Sequence, residues 1–138
     1  MRSSRRVWPV LVGIVLAVLL GAATPASAHI SSVTIDPTGE LIGQNRAKAH
    51  GTITCIAGED WELRGVIKQF DGEGTTVYRG VVFRNDVCTG SSQNWNIIGP
   101  TGATAGNAQV CYLAKTSLAA GGHDRDRRHD CRYPVVLS

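Results

Sequence analysis

The sequence predicts an all-β protein, an immunoglobulin-like antiparallel sandwich of about seven strands with two disulfides. Three observations predict this fold class: runs of alternating apolar and polar residues, turn-forming residues between those runs, and four cysteines. Alternation with period two is typical of half-buried antiparallel strands, because successive side chains of a strand point to opposite faces. No segment has a helical period, and seven short strands in about 100 residues favour a sandwich.

The alternation is clearest in two central runs. AKAHGTITCI, residues 47–56, places Ala, Gly, Ile and Cys on one face, and WELRGVIKQF, residues 61–70, repeats the pattern. The segments between runs, such as DPTGE, DGEG and GPTGATAG, are rich in residues that favour turns. The predicted strands are 30–36, 47–56, 61–70, 75–84, 92–98, 107–116 and 131–137.

The N-terminal segment is predicted to be a signal peptide. Arginines at positions 2, 5 and 6 precede an apolar run at residues 10–20, which is shorter than the roughly 20 residues of a membrane span. Ala26-Ser27-Ala28 then provides the small residues that signal peptidase requires. Cleavage after Ala28 predicts a secreted protein that begins at His29, and cleavage after Ala26 is the alternative. The predicted regions are a signal peptide at 1–28 and a β-sandwich domain at 29–138.

Removal of the signal peptide changes the charge balance. The whole chain has 14 Lys+Arg and 11 Asp+Glu. Three arginines leave with the signal peptide, so residues 29–138 carry 11 charges of each sign and a formal net charge of zero. Recognition of nucleic acids or anionic membranes requires a positive net or local field. We therefore expect no nucleic-acid partner and no stable membrane insertion.

The four cysteines predict two disulfides, since an even number of cysteines in an exported chain is typically bridged. A zinc site is the alternative, but the sequence has no Cys-x-x-Cys pair. In the expected sandwich, Cys55 and Cys88 lie at the same end, whereas Cys111 and Cys131 lie on the last two strands. We therefore expect bridges Cys55–Cys88 and Cys111–Cys131. The alternative, Cys55 with Cys111, would mimic the bridge of antibody domains.

Several short motifs carry a family resemblance. VTIDPTGEL, GTITCIAGE, CTG followed by QNW, and AQVCYL closing on a Cys before VVL resemble small secreted actinobacterial β-sandwich proteins of unassigned activity. The likeness covers nearly the whole mature region, and its motifs are turns, cysteines and a core tryptophan. It therefore implies fold and export but no catalytic residues. The antibiotic-carrying apoproteins of the neocarzinostatin type are similar in size, export and bridge count, with a different cysteine spacing.

An N-terminal histidine is the candidate for metal chemistry. Its amine and its ring offer Cu(II) two nitrogen donors, and neutral pH largely permits both to lose their protons. The last inter-strand loop is expected at the same end of the sandwich as His29. The candidate metal ligands are therefore His29, His123 and His129. His50 lies in mid-strand, about 20 Å away, and is expected to be solvated.

A first-position histidine resembles two groups of secreted copper proteins. One is the periplasmic copper-binding proteins of the CopC type, which are also small β-sandwiches, and the other is the lytic polysaccharide monooxygenases. The resemblance implies copper binding and, for the second group, oxidative catalysis. The chain departs from both, because four cysteines are not typical of CopC and 110 mature residues are short for the oxygenase.

The remaining polar runs favour no catalytic chemistry. GGHDRDRRHDC reads as a solvated loop with three arginines against three aspartates, and a metal loop or an arginine-rich recognition loop is the alternative. Glu59 and Asp60 are adjacent acids in a turn, where exposure is expected. No serine–histidine–acid spacing or phosphate-binding glycine loop is present.

The sequence therefore predicts a secreted, non-catalytic binding or interaction module rather than an enzyme. Its partner is expected to be an extracellular ligand or protein, and no cofactor is expected. Two alternatives stay open: a copper-binding protein that uses His29 with His123 and His129, and a small-molecule carrier with its ligand in a cleft of the sandwich.

Overall fold

The computed structural model describes residues 28–118 and 122–138, so residues 1–27 of the predicted signal peptide lie outside the described part. The described chain is all-β and contains eight strands and no helix. The strands are β1 Ile30–Val33, β2 Thr38–Ile42, β3 Arg46–Cys55, β4 Asp60–Phe70, β5 Thr76–Val87, β6 Gln93–Thr101, β7 Gly106–Ser117 and β8 Asp126–Leu137. Six of the seven predicted strands have bounds within three residues of those observed.

The additional strand is β2, which begins inside the predicted turn DPTGE and makes the prediction of seven strands wrong. It pairs antiparallel with β3, with Glu40 opposite Lys48, and parallel with β8, with Thr38 opposite Val136. A tight turn then leads to β3 through Asn45, whose φ is 54°. Because β2 has only five residues and a mixed burial pattern, its alternation is too short to be distinguished from a turn.

The start of β8 is the second correction. The sequence predicts a loop up to residue 130, but β8 begins at Asp126 and stays paired with β7 up to Thr116. The run DRRHD belongs to a strand that is polar on both faces. Its outward residues are exposed, and its inward residues Asp126 and Arg128 bond to the main chain of Ile30. The usual apolar side of the alternation is therefore missing.

The eight strands form one sheet with two parts that β2 connects. We call each of these multi-stranded parts a ladder. In the first ladder, β1, β2 and β6 pair with β3. In the second ladder the order is β8–β7–β4–β5. Side chains from both ladders share one core, in which Trp95, Ile97, Leu63 and Ile67 are at most 2% exposed. The ladders approach closely at Gly65, where an added Cβ would lie 2.3 Å from Cδ1 of Ile97.

Two disulfides join Cys55 to Cys88 and Cys111 to Cys131, which is the pairing that the sequence favours. Two disulfides in one small domain indicate an oxidising, extracellular type of environment. Within residues 28–118 and 122–138, no helix has the length and apolar character needed to span a membrane.

Candidate functional site

His29 lies beside a buried carboxylate. Its ring nitrogen Nδ1 is 2.7 Å from Oε1 of Glu59, and its carbonyl oxygen accepts a hydrogen bond from the N–H of Ile56 at 3.0 Å. Glu59 is only 3% exposed, so the expectation of an exposed acid in the turn is wrong. The sequence gives little sign of this burial, because Glu59 becomes enclosed only when β1 docks over the turn between β3 and β4.

The first residue of β1 is held by β8. The N–H of Ile30 donates to Oδ2 of Asp126 at 2.9 Å, and Nη2 of Arg128 donates to the carbonyl oxygen of Ile30 at 3.3 Å. The pKa of Asp126 is lowered in the folded protein. Burial alone would raise this pKa, but the N–H donors of Ile30 and Arg127 and the nearby positive charges outweigh the effect of burial.

The three candidate metal ligands do not meet as a group. His129 lies on β8 opposite Leu113, and strand alternation points its side chain away from the face that Asp126 presents to β1. His123 precedes β8 and is exposed. No group of three or more His, Cys, Asp or Glu side chains in the described ranges is arranged to hold a metal ion. The copper hypothesis therefore depends on His29 and its amine.

His50 is half-buried rather than simply solvated. Its Nδ1 is hydrogen-bonded to Oδ2 of Asp36, and its carbonyl oxygen accepts from the N–H of Asp36 at 2.9 Å. On β3 it lies five residues before Cys55, which is the partner of Ile30. His50 therefore serves to hold the segment after β1 and does not belong to the surroundings of His29.

The second candidate site is the side of the β8–β7–β4–β5 ladder that faces away from the core, which we call the outer face. Its central residues alternate with the core residues of the same strands. Val81 and Phe83, in the middle of this side, are exposed apolar residues at 56% and 47%. The centre of the outer face comprises Arg64, Val66 and Lys68 of β4, Arg79, Val81 and Phe83 of β5, Leu113 of β7 and the Cys111–Cys131 bridge. Beyond Arg64 on the same side, Glu62 lies opposite Lys115 and pairs with it at 3.8 Å.

The outer face carries positive charge at both ends of an apolar centre. Lys68 lies directly opposite Arg79, and the pair Val66–Val81 separates them from Arg64. The Cα atoms of Arg64 and Lys68 are therefore about 13 Å apart along β4. In the described part of the chain, none of the three cations forms an ion pair. Like charges directly opposite each other destabilise a sheet. The pair Lys68–Arg79 therefore does not contribute to the stability of the fold.

A surface depression of about 350 Å³ offers a different kind of site. Its lining residues are Trp61, Arg84, Asn85, Asp86, Asn94, Trp95 and Asn96. The two tryptophans are only 2–3% exposed, so the accessible lining is amide and charged groups. Small-molecule pockets of this size are usually lined by apolar and aromatic side chains. The depression therefore gives little support to a carrier of apolar ligands.

Comparison with known proteins gives a weak structural similarity. No family model matches the chain, and no curated protein matches its sequence. Among solved structures, Spo0M, a sporulation control protein from Bacillus subtilis, aligns with a TM-score of 0.29 and 12% identity. The alignment covers 81% of this chain and 49% of that protein, so the chain spans about half of its length. A TM-score this low carries no argument about function.

Proposed function

We propose that the protein is a secreted, non-catalytic binding module that recognises an acidic partner through its outer face. The observation that carries this proposal is the pair Lys68–Arg79, which has no described carboxylate partner and lies beside the exposed Val81 and Phe83. A partner that supplies carboxylates would remove the repulsion between the two cations and bury the apolar centre in one step.

We also propose that the two ladders form the two layers of an immunoglobulin-like sandwich. The shared core and the close approach of Gly65 to Ile97 support this arrangement. Secretion is supported by the predicted signal peptide and by the two disulfides.

The shape of the outer face favours an extended partner. β5 is a 12-residue strand that pairs with β4 and ends the order of its ladder. An acidic segment laid along β5 would find main-chain groups at the strand edge and cations on the adjoining face. Extended peptides bind exposed sheet edges in this way, with alternate side chains meeting the sheet surface. We therefore propose that the partner is an acidic segment of a protein.

The test uses fluorescently labelled poly-L-glutamate and anisotropy at two salt concentrations. We expect binding that weakens with salt and that becomes about tenfold weaker in the Lys68→Ala/Arg79→Ala variant, since each exposed charge contributes up to about 1 kcal/mol. The matched control is Arg46→Ala/Lys48→Ala, which removes the same charge from β3 of the other ladder.

Three results would contradict the proposal. Poly-L-glutamate that does not bind at low salt would exclude an acidic partner for this face. Equal losses in the two double variants would indicate a response to net charge alone. Binding to vesicles that contain anionic lipid, without binding to poly-L-glutamate, would replace the acidic protein segment with a membrane surface.

Copper binding at His29 is the alternative function. The ring of His29 already lies beside a carboxylate, which favours a cation. Two observations weaken this alternative: Nη1 of Arg125 is 3.7 Å from the same oxygen of Glu59, and His129 points to the outer face. Electron paramagnetic resonance of the exported protein with one equivalent of Cu(II) would test it, because a residue added before His29 should abolish a genuine site.

A further inference from the structure

Glu59 is fixed in a turn that leaves its carboxylate little freedom. The N–H of Glu59 donates to the carbonyl oxygen of Ile56 at 3.2 Å, and its own carbonyl oxygen accepts from the N–H of Cys88 at 2.7 Å. Gly58 donates to the carbonyl oxygen of Cys88 at 3.0 Å, and Cys88 is bridged to Cys55. The disulfide and these main-chain bonds therefore hold the turn between β3 and β4 beneath the start of β1.

The two carboxylate oxygens of Glu59 differ in their partners. Oε1 contacts Nδ1 of His29 at 2.7 Å and lies 3.7 Å from Nη1 of Arg125. Oε2 is buried and has no hydrogen-bond partner within the described residues. A buried carboxylate oxygen without a donor is costly, because burial removes its hydration and nothing replaces it. The structure therefore contains an acceptor that requires a donor.

The buried side-chain polar atoms that lack a hydrogen-bond partner in the described residues lie close together in the chain and on paired strands. The other buried side-chain atoms without a partner in the described part are Nε1 of Trp61 and Oγ1 of Thr116. Trp61 and Thr116 lie opposite each other on β4 and β7, and Trp61 follows Glu59 by two residues on the same side of the chain. Elsewhere in residues 28–118 and 122–138 the buried side-chain polar atoms are satisfied.

The main-chain nitrogen of His29 is tied to the neighbourhood of Glu59 through the side chain of the same residue. Four covalent bonds separate it from Nδ1, which already contacts Glu59, and the residue is anchored by the bond from Ile56 to its carbonyl oxygen. In the precursor this nitrogen is an amide with one N–H. Hydrolysis of the Ala28–His29 bond consumes one water, leaves a carboxylate on Ala28 and converts the nitrogen to an amine. When no metal ion competes for its lone pair, that amine is largely protonated at neutral pH.

We propose that cleavage after Ala28 supplies the missing donor: the α-ammonium of His29 pairs with Oε2 of Glu59 and locks β1 onto the turn between β3 and β4. Removal of the signal peptide thereby completes the fold. The inference depends on the predicted cleavage position and is independent of the proposed function of the outer face. A charged donor suits this acceptor better than an amide, because hydrogen bonds to charged groups contribute more than neutral ones.

The other charged groups around the amine leave this pairing intact. Asp126, which accepts from the N–H of Ile30, adds a second negative charge near the start of β1. Arg128 lies 3.8 Å from that aspartate and partly compensates it. Arg125 approaches Glu59 at Oε1 and Arg128 contacts Asp126 and Ile30, so in the described residues neither arginine pairs with Oε2.

The test is a double-mutant cycle on the mature protein, in buffer that contains EDTA. One form begins at His29, and the other retains Ala28, which moves the ammonium by one residue, about 3.8 Å. Each form is made with Glu59 and with Glu59→Gln, and the unfolding equilibrium constant is measured in urea. We expect retention of Ala28 to raise that constant about tenfold in the Glu59 protein, and to leave it unchanged with Glu59→Gln.

A second measurement tests the same ion pair without the Glu59→Gln variant, and it can be used if that variant does not fold. Hydrogen exchange of the Ile56 amide, which donates to His29, should be about tenfold slower in the form that begins at His29. Equal exchange rates in the two forms, or equal effects of Ala28 in both Glu59 backgrounds, would overturn the ion pair. An effect that develops only when Cu(II) replaces EDTA would overturn it in favour of a metal site.

Discussion

The β1 end of the molecule and the outer face use charge in opposite ways. At the β1 end, Glu59 is almost fully buried and Asp126 bonds to a main-chain N–H. On the outer face, Lys68 is half-buried and Arg79 is exposed, and neither has a described carboxylate partner. An unpaired charge in the interior costs several kcal/mol, whereas an exposed ion pair contributes about 0–1 kcal/mol. We therefore expect stability to depend mainly on the first region and the proposed binding on the second, so that each can be altered separately.

The largest effect should come from the bridge beneath the β1 end. Cys55→Ala/Cys88→Ala removes a link across 33 residues, and the chain-entropy model gives a loss of about 3–4 kcal/mol. The measurement is urea denaturation followed by tryptophan fluorescence. Cys111→Ala/Cys131→Ala serves as the control and should cost less, since it links directly paired residues of β7 and β8. A larger loss for that control would reverse the assignment of stability to the β1 end.

A smaller loss of stability is expected from adding a side chain at Gly51, where the surrounding atoms leave no room for one. A Cβ at this position would lie 1.9 Å from the carbonyl oxygen of Thr34 and 2.7 Å from Trp95, so Gly51→Ala should destabilise by about 1–3 kcal/mol. Gly72→Ala is the matched control, because nothing lies within 4 Å of its Cβ position. Thermal unfolding of both variants tests the difference. Equal melting temperatures would mean that the segment after β1 is not packed as described.

The tether of β1 should depend on pH. The pKa of Asp126 is lowered in the folded protein, so its contribution to stability is present above the ordinary aspartate pKa of about 3.9. That contribution is lost as the pH falls through the lowered value. The difference in urea midpoint between the wild type and Asp126→Asn should therefore shrink from pH 6 towards pH 2. A difference that grows on acidification would mean that the charged carboxylate does not stabilise β1.

The smallest effect on stability is expected on the outer face. Lys68→Thr removes one of two like charges that face each other across β4 and β5, and its unfolding free energy should stay within about 0.5 kcal/mol of the wild type or rise slightly. Thr is suited to strands, so the change in side chain adds no penalty. A loss above about 1 kcal/mol in urea denaturation would show that the outer face has a structural role after all.

The parts of the fold that sequence predicts well are those with a buried and an exposed side. β3 and β4 alternate over ten residues or more, and their predicted bounds agree closely with the structure. β2 is too short to alternate visibly. The first half of β8 is polar on both faces because its inward side chains, such as Asp126, bond to main-chain groups of β1 rather than packing in the core.

The candidate site was less predictable because it depends on contacts between distant segments. His29 and Glu59 are 30 residues apart, and nothing local to Glu59 distinguishes a buried acid from an exposed one. The repulsive pair Lys68–Arg79 requires the register of β4 and β5, which residue spacing alone does not give. The sequence places His129 in a loop, where the direction of a side chain is undefined, whereas in the structure β8 directs it to the outer face.

The parallel pairing of β2 with β8 has a mechanical consequence. Three main-chain hydrogen bonds flank this contact: Val136 to Pro37 at 3.0 Å, Leu41 to Ser138 at 2.9 Å and Ser138 to Gly39 at 3.4 Å. Tension applied between residues 29 and 138 first peels β1 from β3 and then draws β2 and β8 along each other in opposite directions. In this shear geometry the bonds bear the load together, whereas an antiparallel hairpin such as β7–β8 would open one bond at a time. We therefore expect the contact between β2 and β8 to resist a pull applied between residues 29 and 138.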